Sequence, residues 1–176
     1  MAVSSSTASN LVIGAGDVFL DGADVGATQE SNSFAIETEW TVPELNGVPG
    51  ELQGIRYKQS EHVRLGVTVA ELTSAKLLAV WPGANSAVVG TITTIDSDDT
   101  RRIATADYHD WILQVDGLDG KQFNFYADNA LNEGGLEMEA SDDGNLSYRA
   151  ELMSTWDGAD LTASPYRIKI ITGVSS

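Results

Sequence analysis

The sequence predicts a mostly β, α+β fold: a β-sandwich or partial barrel with one short flanking helix. Three observations predict it. Apolar and polar residues alternate with a period of two in several segments, which is the pattern of strands with one buried and one wet face. Glycine-containing turn dipeptides separate those segments. One segment alone, near residue 75, places helix formers between a capping hydroxyl and a Pro-Gly stop. The chain has 176 residues, 42% of them hydrophobic. That is enough for one domain with its own core and too apolar for a disordered chain.

Residues 1–10, rich in Ser, Thr and Ala, read as a flexible arm, and residues 11–176 as a single domain. Val12 to Leu20 is a loosely alternating strand. Asp21-Gly22 is a hairpin turn, and Asp24 to Ala27 returns as its partner. Phe34, Ile36 and Trp40 then share one face, with Glu37, Glu39 and Thr41 on the other. The stretch from Pro43 through Glu44, Leu45, Asn46, Gly47, Val48 and Pro49 to Gly50 breaks the pattern and reads as a protruding loop. Glu51 to Lys58 resumes extended. Val63, Leu65, Val67 and Val69 alternate with His62, Arg64, Gly66 and Thr68.

The helix starts at Thr73 or Ser74, whose hydroxyl caps the first turn, and stops at Pro82-Gly83. It is short, so packing of Leu78, Val80 or Trp81 on a sheet must hold it. Ala87 to Ile95 is strand-like, and Ser97 to Arg102 is a polar turn. Trp111 to Val115 and Gln122 to Tyr126 flank Asp116-Gly117-Leu118-Asp119-Gly120, a hairpin. Leu136 and Met138 oppose Glu137 and Glu139. Asp142-Asp143-Gly144 turns the chain into Leu146 to Trp156, expected to be the longest strand, with Glu151 on its polar side. The last strand is Tyr166 to Thr172. Trp40 and Trp156 share parity with apolar neighbours and are expected in the core.

Composition excludes much chemistry. The chain has no cysteine and two histidines, so disulfide staples, thiolate zinc sites, cysteine nucleophiles and a histidine-rich metal site are ruled out. No metal and no cofactor is expected. Asp96-Ser97-Asp98-Asp99 resembles the start of a calcium loop, but Arg101 stands where glycine is required and Asp107 where the closing glutamate belongs. Gly14-Ala15-Gly16 lacks the third glycine and the helix of a dinucleotide site and reads as a twist or bulge at a strand start. His109-Asp110 has no marked nucleophile to serve. Carboxylate pairs that a glycosidase would use alternate instead along strands at solvent-facing parity. An enzyme is not expected. A carbohydrate-binding β module with scattered Trp and Tyr is the alternative from another class.

Met1 to Asn10 holds no basic residue and so lacks the charged start and apolar middle of a secretion signal. The longest apolar runs, such as Leu77 to Trp81, are too short to span a bilayer. Folding in a cytoplasm, without membrane association, is the expectation. Twenty-six acidic residues face ten basic ones, giving −16. Such a chain repels nucleic acid, whose binding needs phosphate neutralisation.

Several segments in order carry a resemblance: "GAGDVFLDGADVGAT", "SFAIETEW", "VPELNGVPGELQG", "EHVRLGVTVAELTSAKLLAVWPG", "GGLEMEASDDGNLSYRAELMSTWD" and "SPYRIKIIT". Together they resemble the major tail tube proteins of siphophages over most of residues 11–172; residues 84–133 match least. The resemblance implies a sandwich or partial barrel with a flanking helix, whose inner sheets join edge to edge into a hexameric ring barrel. Rings stack into a hollow virion tail tube, assembled in the host cytoplasm. Tape-measure, tail-tip and tail-terminator proteins are the implied partners, and DNA passes through the bore without specific binding. A secretion-tube subunit shares the same physics.

On that reading the polar parity lines the bore: Glu37, Glu39, Glu51, Gln53, Glu137, Glu139 and Glu151. Six copies carry 6 × (−16) = −96 formal charges per ring. An acidic wall repels a duplex over about a Debye length, roughly 8 Å at physiological salt. Loop 43–50 and the N-terminal arm are expected to contact the next ring, with Arg56, Lys58 and Arg64 as basic partners of acidic groups on a neighbour.

Overall fold

The computed structural model describes residues 16–28, 32–43, 54, 56–71, 73–98, 102–117, 120–140, 146–160 and 162–172. Among the described residues the fold is mostly β with one short α-helix, as expected. Strands β1 (Asp17–Leu20) and β2 (Ala23–Asp24) form the first hairpin. Its turn has φ of 49° at Asp21 and 80° at Gly22, a left-handed pair that suits the twist of a two-residue hairpin. Strand β3 (Ser33–Thr41) pairs with β4 (Tyr57–Val69), and α1 (Ser74–Val80) follows. Next come β5 (Ala84–Val89), β6 (Ile92–Ser97) and a single 3-10 turn at Thr105–Asp107. Strands β7 (His109–Asp116), β8 (Lys121–Asn132), β9 (Glu137–Ala140), β10 (Leu146–Ser154) and β11 (Tyr166–Thr172) complete the order.

Nine strands belong to one antiparallel sheet in the order β2-β1-β7-β8-β10-β4-β3, with β11 added to β8 and β9 to β10. Strand β8 lets the sheet fold over itself. Its first part, Lys121 to Ala127, pairs with β11, whereas Ala130 to Asn132 pair with β10. The two halves therefore face each other across a core. Phe34 of β3 meets Phe125 of β8 at 5.0 Å between ring centroids. Glu61 of β4 accepts a hydrogen bond from the Tyr166 hydroxyl of β11.

The core holds Val18, Val25, the four alternating β4 residues Val63, Leu65, Val67 and Val69, and Val80 of the helix. Trp111 and Leu113 of β7 and Tyr148, Ala150 and Leu152 of β10 close it. Burying each of the Val and Leu side chains among them contributes about 1.5–3 kcal/mol. The backbone amide of Lys76 donates to the Thr73 hydroxyl at 3.3 Å, so Thr73 is the cap. Asn132 is buried and fully used. Its amide donates to the carbonyls of Val80 (2.6 Å) and Gly135 (2.7 Å), and its oxygen accepts from the Glu151 amide at 3.0 Å. It ties the helix end to β10.

Three sequence expectations are corrected. Residues 87–95 are not one strand but most of a separate β5–β6 hairpin, turning at Gly90-Thr91. Among the described residues the longest strand is β4 with 13 residues, followed by β8 with 12, and not β10 with 9. A register shift opposite Glu39/Trp40 lets β4 run through from Tyr57 to Val69 in spite of the broken pattern at Gln59. Trp40 and Trp156 are half-exposed, and Trp111 is the tryptophan sealed in the core. Parity places a side chain toward the core side of a sheet, but only an opposing layer buries it. The turn at Asp142-Asp143-Gly144, the arm 1–10 and loop residues 44–50 lie outside the described residues.

Candidate functional site

Direct cross-strand neighbours in an antiparallel sheet project to the same face. Applied to the register of β3, β4, β10 and β9, this rule assembles one polar surface. Ser33 of β3 lies beside Gly66 of β4, which lies beside Glu151 of β10. Glu37 stands opposite His62, and Glu39 opposite Ser60. Thr68 stands opposite Arg149, and Arg149 opposite Glu137; Ser147 stands opposite Glu139. Glu37, Glu39, Glu137, Glu139 and Glu151 therefore share one face of a continuous four-strand surface. Their apolar alternates, Phe34, Val63, Leu65, Tyr148 and Leu152 among them, turn toward the core.

The two arginines of that face are both engaged by glutamates. Arg64 Nε donates to Glu37 at 3.0 Å. That bond, with the further pull of Glu133 and Glu151, raises the guanidinium pKa above its ordinary value. Arg149 lies 3.6 Å from Glu151. These contacts are solvent-exposed, so each is worth little to stability. They place the arginines among carboxylates that outnumber them. The Glu133 amide donates to the Glu151 carbonyl at 3.0 Å, which extends the face past the end of β8.

Lys58 lies elsewhere. It stands opposite Trp40, on the core-side parity, and bonds Glu61 at 3.0 Å. Glu61 also accepts from Thr38 at 3.1 Å. The Lys58 bond, with Thr38 in support and burial opposing, holds the Glu61 carboxyl below its usual pKa. Arg56 is exposed just ahead of β4. Pro43 is half-buried at the end of β3. Glu51 and Gln53 lie outside the described residues.

Arg149 and Glu133 join this face beyond the residues expected from sequence; the alternation of Arg149 with Ala150 and Glu151 signals the side of Arg149. The imagined His109-Asp110 pair takes a different form. His109 Nδ1 meets Asp21 at 2.8 Å across β1 and β7, whereas Asp110 accepts from the Asn129 amide at 2.9 Å.

Two concave regions accompany the face. A groove of about 240 Å³ runs between Thr68, Glu137, Glu139, Ser147 and Arg149. A hollow of about 390 Å³ lies between α1, β5 and His109. No Trp, Tyr or Phe side chain lines either one, so neither offers the usual stacking platform of a sugar site. Among the described residues no group of three or more His, Asp or Glu side chains is placed to hold a metal ion. No helix there is long and apolar enough to cross a membrane.

No family model matches this chain. A search of curated proteins likewise finds no significant relative. The functional reading therefore rests on the residues, their geometry and the resemblance noted in the sequence.

Proposed function

We propose that this chain is a structural subunit of a tube, the tail tube of a long-tailed phage, and that its glutamate face forms the wall of the bore. The observation that carries the reading is the gathering of Glu37, Glu39, Glu137, Glu139 and Glu151 on one side of β3, β4, β10 and β9. Duplex DNA carries one negative charge per roughly 1.7 Å of axis, and a wall that binds it must supply cations. This face supplies Arg64, hydrogen-bonded to Glu37, and Arg149, ion-paired with Glu151. Such a surface lets a polyanion pass without holding it.

Self-association is the second half of the proposal. Apolar side chains stay exposed at Ile36, Trp40, Ile168 and Ile170, and at the β5–β6 tip at Val88, Val89 and Ile92. Exposed apolar groups in clusters mark contact surfaces. Loop 43–50 and the arm 1–10 are proposed to bridge successive rings, with Arg56 and Lys58 near that loop in sequence. A sugar-binding module is less well supported, because the exposed tryptophans do not line either hollow.

Electron microscopy of the concentrated protein tests the proposal, with the tail-tip proteins added as a nucleus. Rings or tubes with a central hole are expected. A second arm reads the wall itself: Glu137→Lys with Glu139→Lys should make assembled tubes retain added duplex DNA at low salt, where the parent tubes release it. Globular particles at every concentration and with the nucleus present would refute the tube.

A further inference from the structure

We infer that copies of this chain join through unlike sheet edges, β3 of one copy pairing with β11 of the next. The inference deepens the self-assembly reading above and rests on it only for the statement that copies associate.

Among the described residues β3 pairs only with β4, and β11 only with β8, so each offers an unpaired row of backbone groups. Open edges of this kind are templates for strand addition. They are matched in length, nine residues in β3 and seven in β11. They are also matched in pattern. On the core-side parity β3 presents Ile36 and Trp40, 43% and 51% exposed, and β11 presents Ile168 and Ile170, 48% and 61% exposed. These are the places where the core reaches the surface uncovered. On the outward parity β3 presents Glu37 and Glu39, and β11 presents Arg167 and Lys169, which lie against Tyr126.

Charge decides which edges meet. Like charges directly opposite each other on paired strands destabilise the pair, and opposite charges stabilise it. Pairing β3 with a second β3 sets Glu37 and Glu39 against themselves, in a chain that already carries −16. Pairing β11 with β11 sets Arg167 and Lys169 against themselves. Of the pairings between these two edges, only β3 with β11 puts glutamate beside cation on the outward side and Ile36 and Trp40 beside Ile168 and Ile170 on the inward side. Among the described residues β9, with Glu137 and Glu139, and β2 are also edges, but at four and two residues they are too short to match β11. Strand β11 is suited to this. It holds two of the ten basic residues of the chain and no acidic one, whereas β3 holds two glutamates and no base. Contact between unlike surfaces is head-to-tail; repeated, it closes a ring where the rotation closes and winds into a filament where it does not.

The absence of cysteine gives a clean test. Glu37→Cys and Glu39→Cys variants are each mixed with Arg167→Cys or Lys169→Cys variants carrying a mass tag, then mildly oxidised. Disulfides between a β3 variant and a β11 variant are expected to exceed same-variant dimers at least fivefold in one or more of the four mixtures. A random distribution, a predominance of β3–β3 dimers, or no intermolecular disulfide in any mixture would overturn the inference. Charge reversal checks it without cysteine chemistry at the joint. Glu39→Lys and Lys169→Glu variants should each lose assembly alone and regain it in an equal mixture; Lys169→Glu leaves the 2.6 Å Arg167–Asp128 bond intact. Unchanged assembly of both single variants would count against the joint. Particle mass separates this inference from the tube. Unlike-edge disulfides in a particle of two copies keep the joint and remove the ring; tubes without those disulfides keep the ring and remove the joint.

Discussion

The two ends of the sandwich differ, and β4 runs from one to the other. At the Val69 end its core-side residues are fully buried, closed over by Val18, Val25, Val80 and Trp111. Moving toward Tyr57 the same parity brings Glu61, mostly covered, and then Lys58, half-exposed. Across from them Trp40 and Ile170 stand in solvent. One end is a finished core; the other is a core that stops before it is covered. The sealed end secures the fold of a single copy, and the open end is where a neighbour gains most by binding.

Breaking the sealed end should have the largest effect. Trp111→Ala is expected to lower the unfolding free energy by about 3–5 kcal/mol, the range for deleting a buried large aromatic, as read by urea titration. The next effect tests how dry that end is. Burial alone pushes the Tyr148 hydroxyl up from 10.0 to about 12, and it has no hydrogen-bond partner among the described residues. Its folded pKa lies above the unfolded one, so the folded state keeps the proton longer. Stability is then unaffected below pH 10 and falls as pH rises from 10 toward 12, by roughly 2–3 kcal/mol at one unit per 1.36 kcal/mol. Tyr148→Phe should abolish this contribution to the alkaline fall and cost nothing at neutral pH.

The open end should behave in the opposite way. Trp40→Ser and Ile170→Ser are expected to cost a single copy about 1 kcal/mol or less each, as half-exposed positions do, yet to raise the concentration needed for assembly. Light scattering against concentration checks this. The smallest effect sits at the boundary. Glu61, held below its usual pKa by Lys58, contributes stability above that usual value, and the contribution fades as pH falls through the lowered one. Glu61→Gln should flatten the acid limb of the stability curve.

The sealed end was the more legible from sequence. Val63, Leu65, Val67 and Val69 alternate without interruption, and Thr73 and Pro82-Gly83 bracket the helix. Asp21-Gly22 and the boundaries of Tyr166 to Thr172 also read directly. The glutamate face was legible because its residues keep strict parity within each strand; that the four strands share one surface needed the register. What failed did so for physical reasons. Val88, Val89 and Ile92 look like parts of one strand because β-branched residues suit both a continuous strand and a hairpin, and Gly90-Thr91 is a weak turn signal. Trp40 and Trp156 read as core because alternation cannot report whether another layer lies above. The complementarity of β3 and β11 could not be read at all until both were known to be edges.

Amide hydrogen exchange before and after assembly tests the central claim most directly, that the open end is completed by another copy. Protection should rise along β3 near Glu37 to Thr41 and along β11 near Ile168 to Thr172, while the amides of Val67, Val69 and Trp111 stay as slow as before. Assembly that leaves both edges exchanging as in the single copy would contradict it.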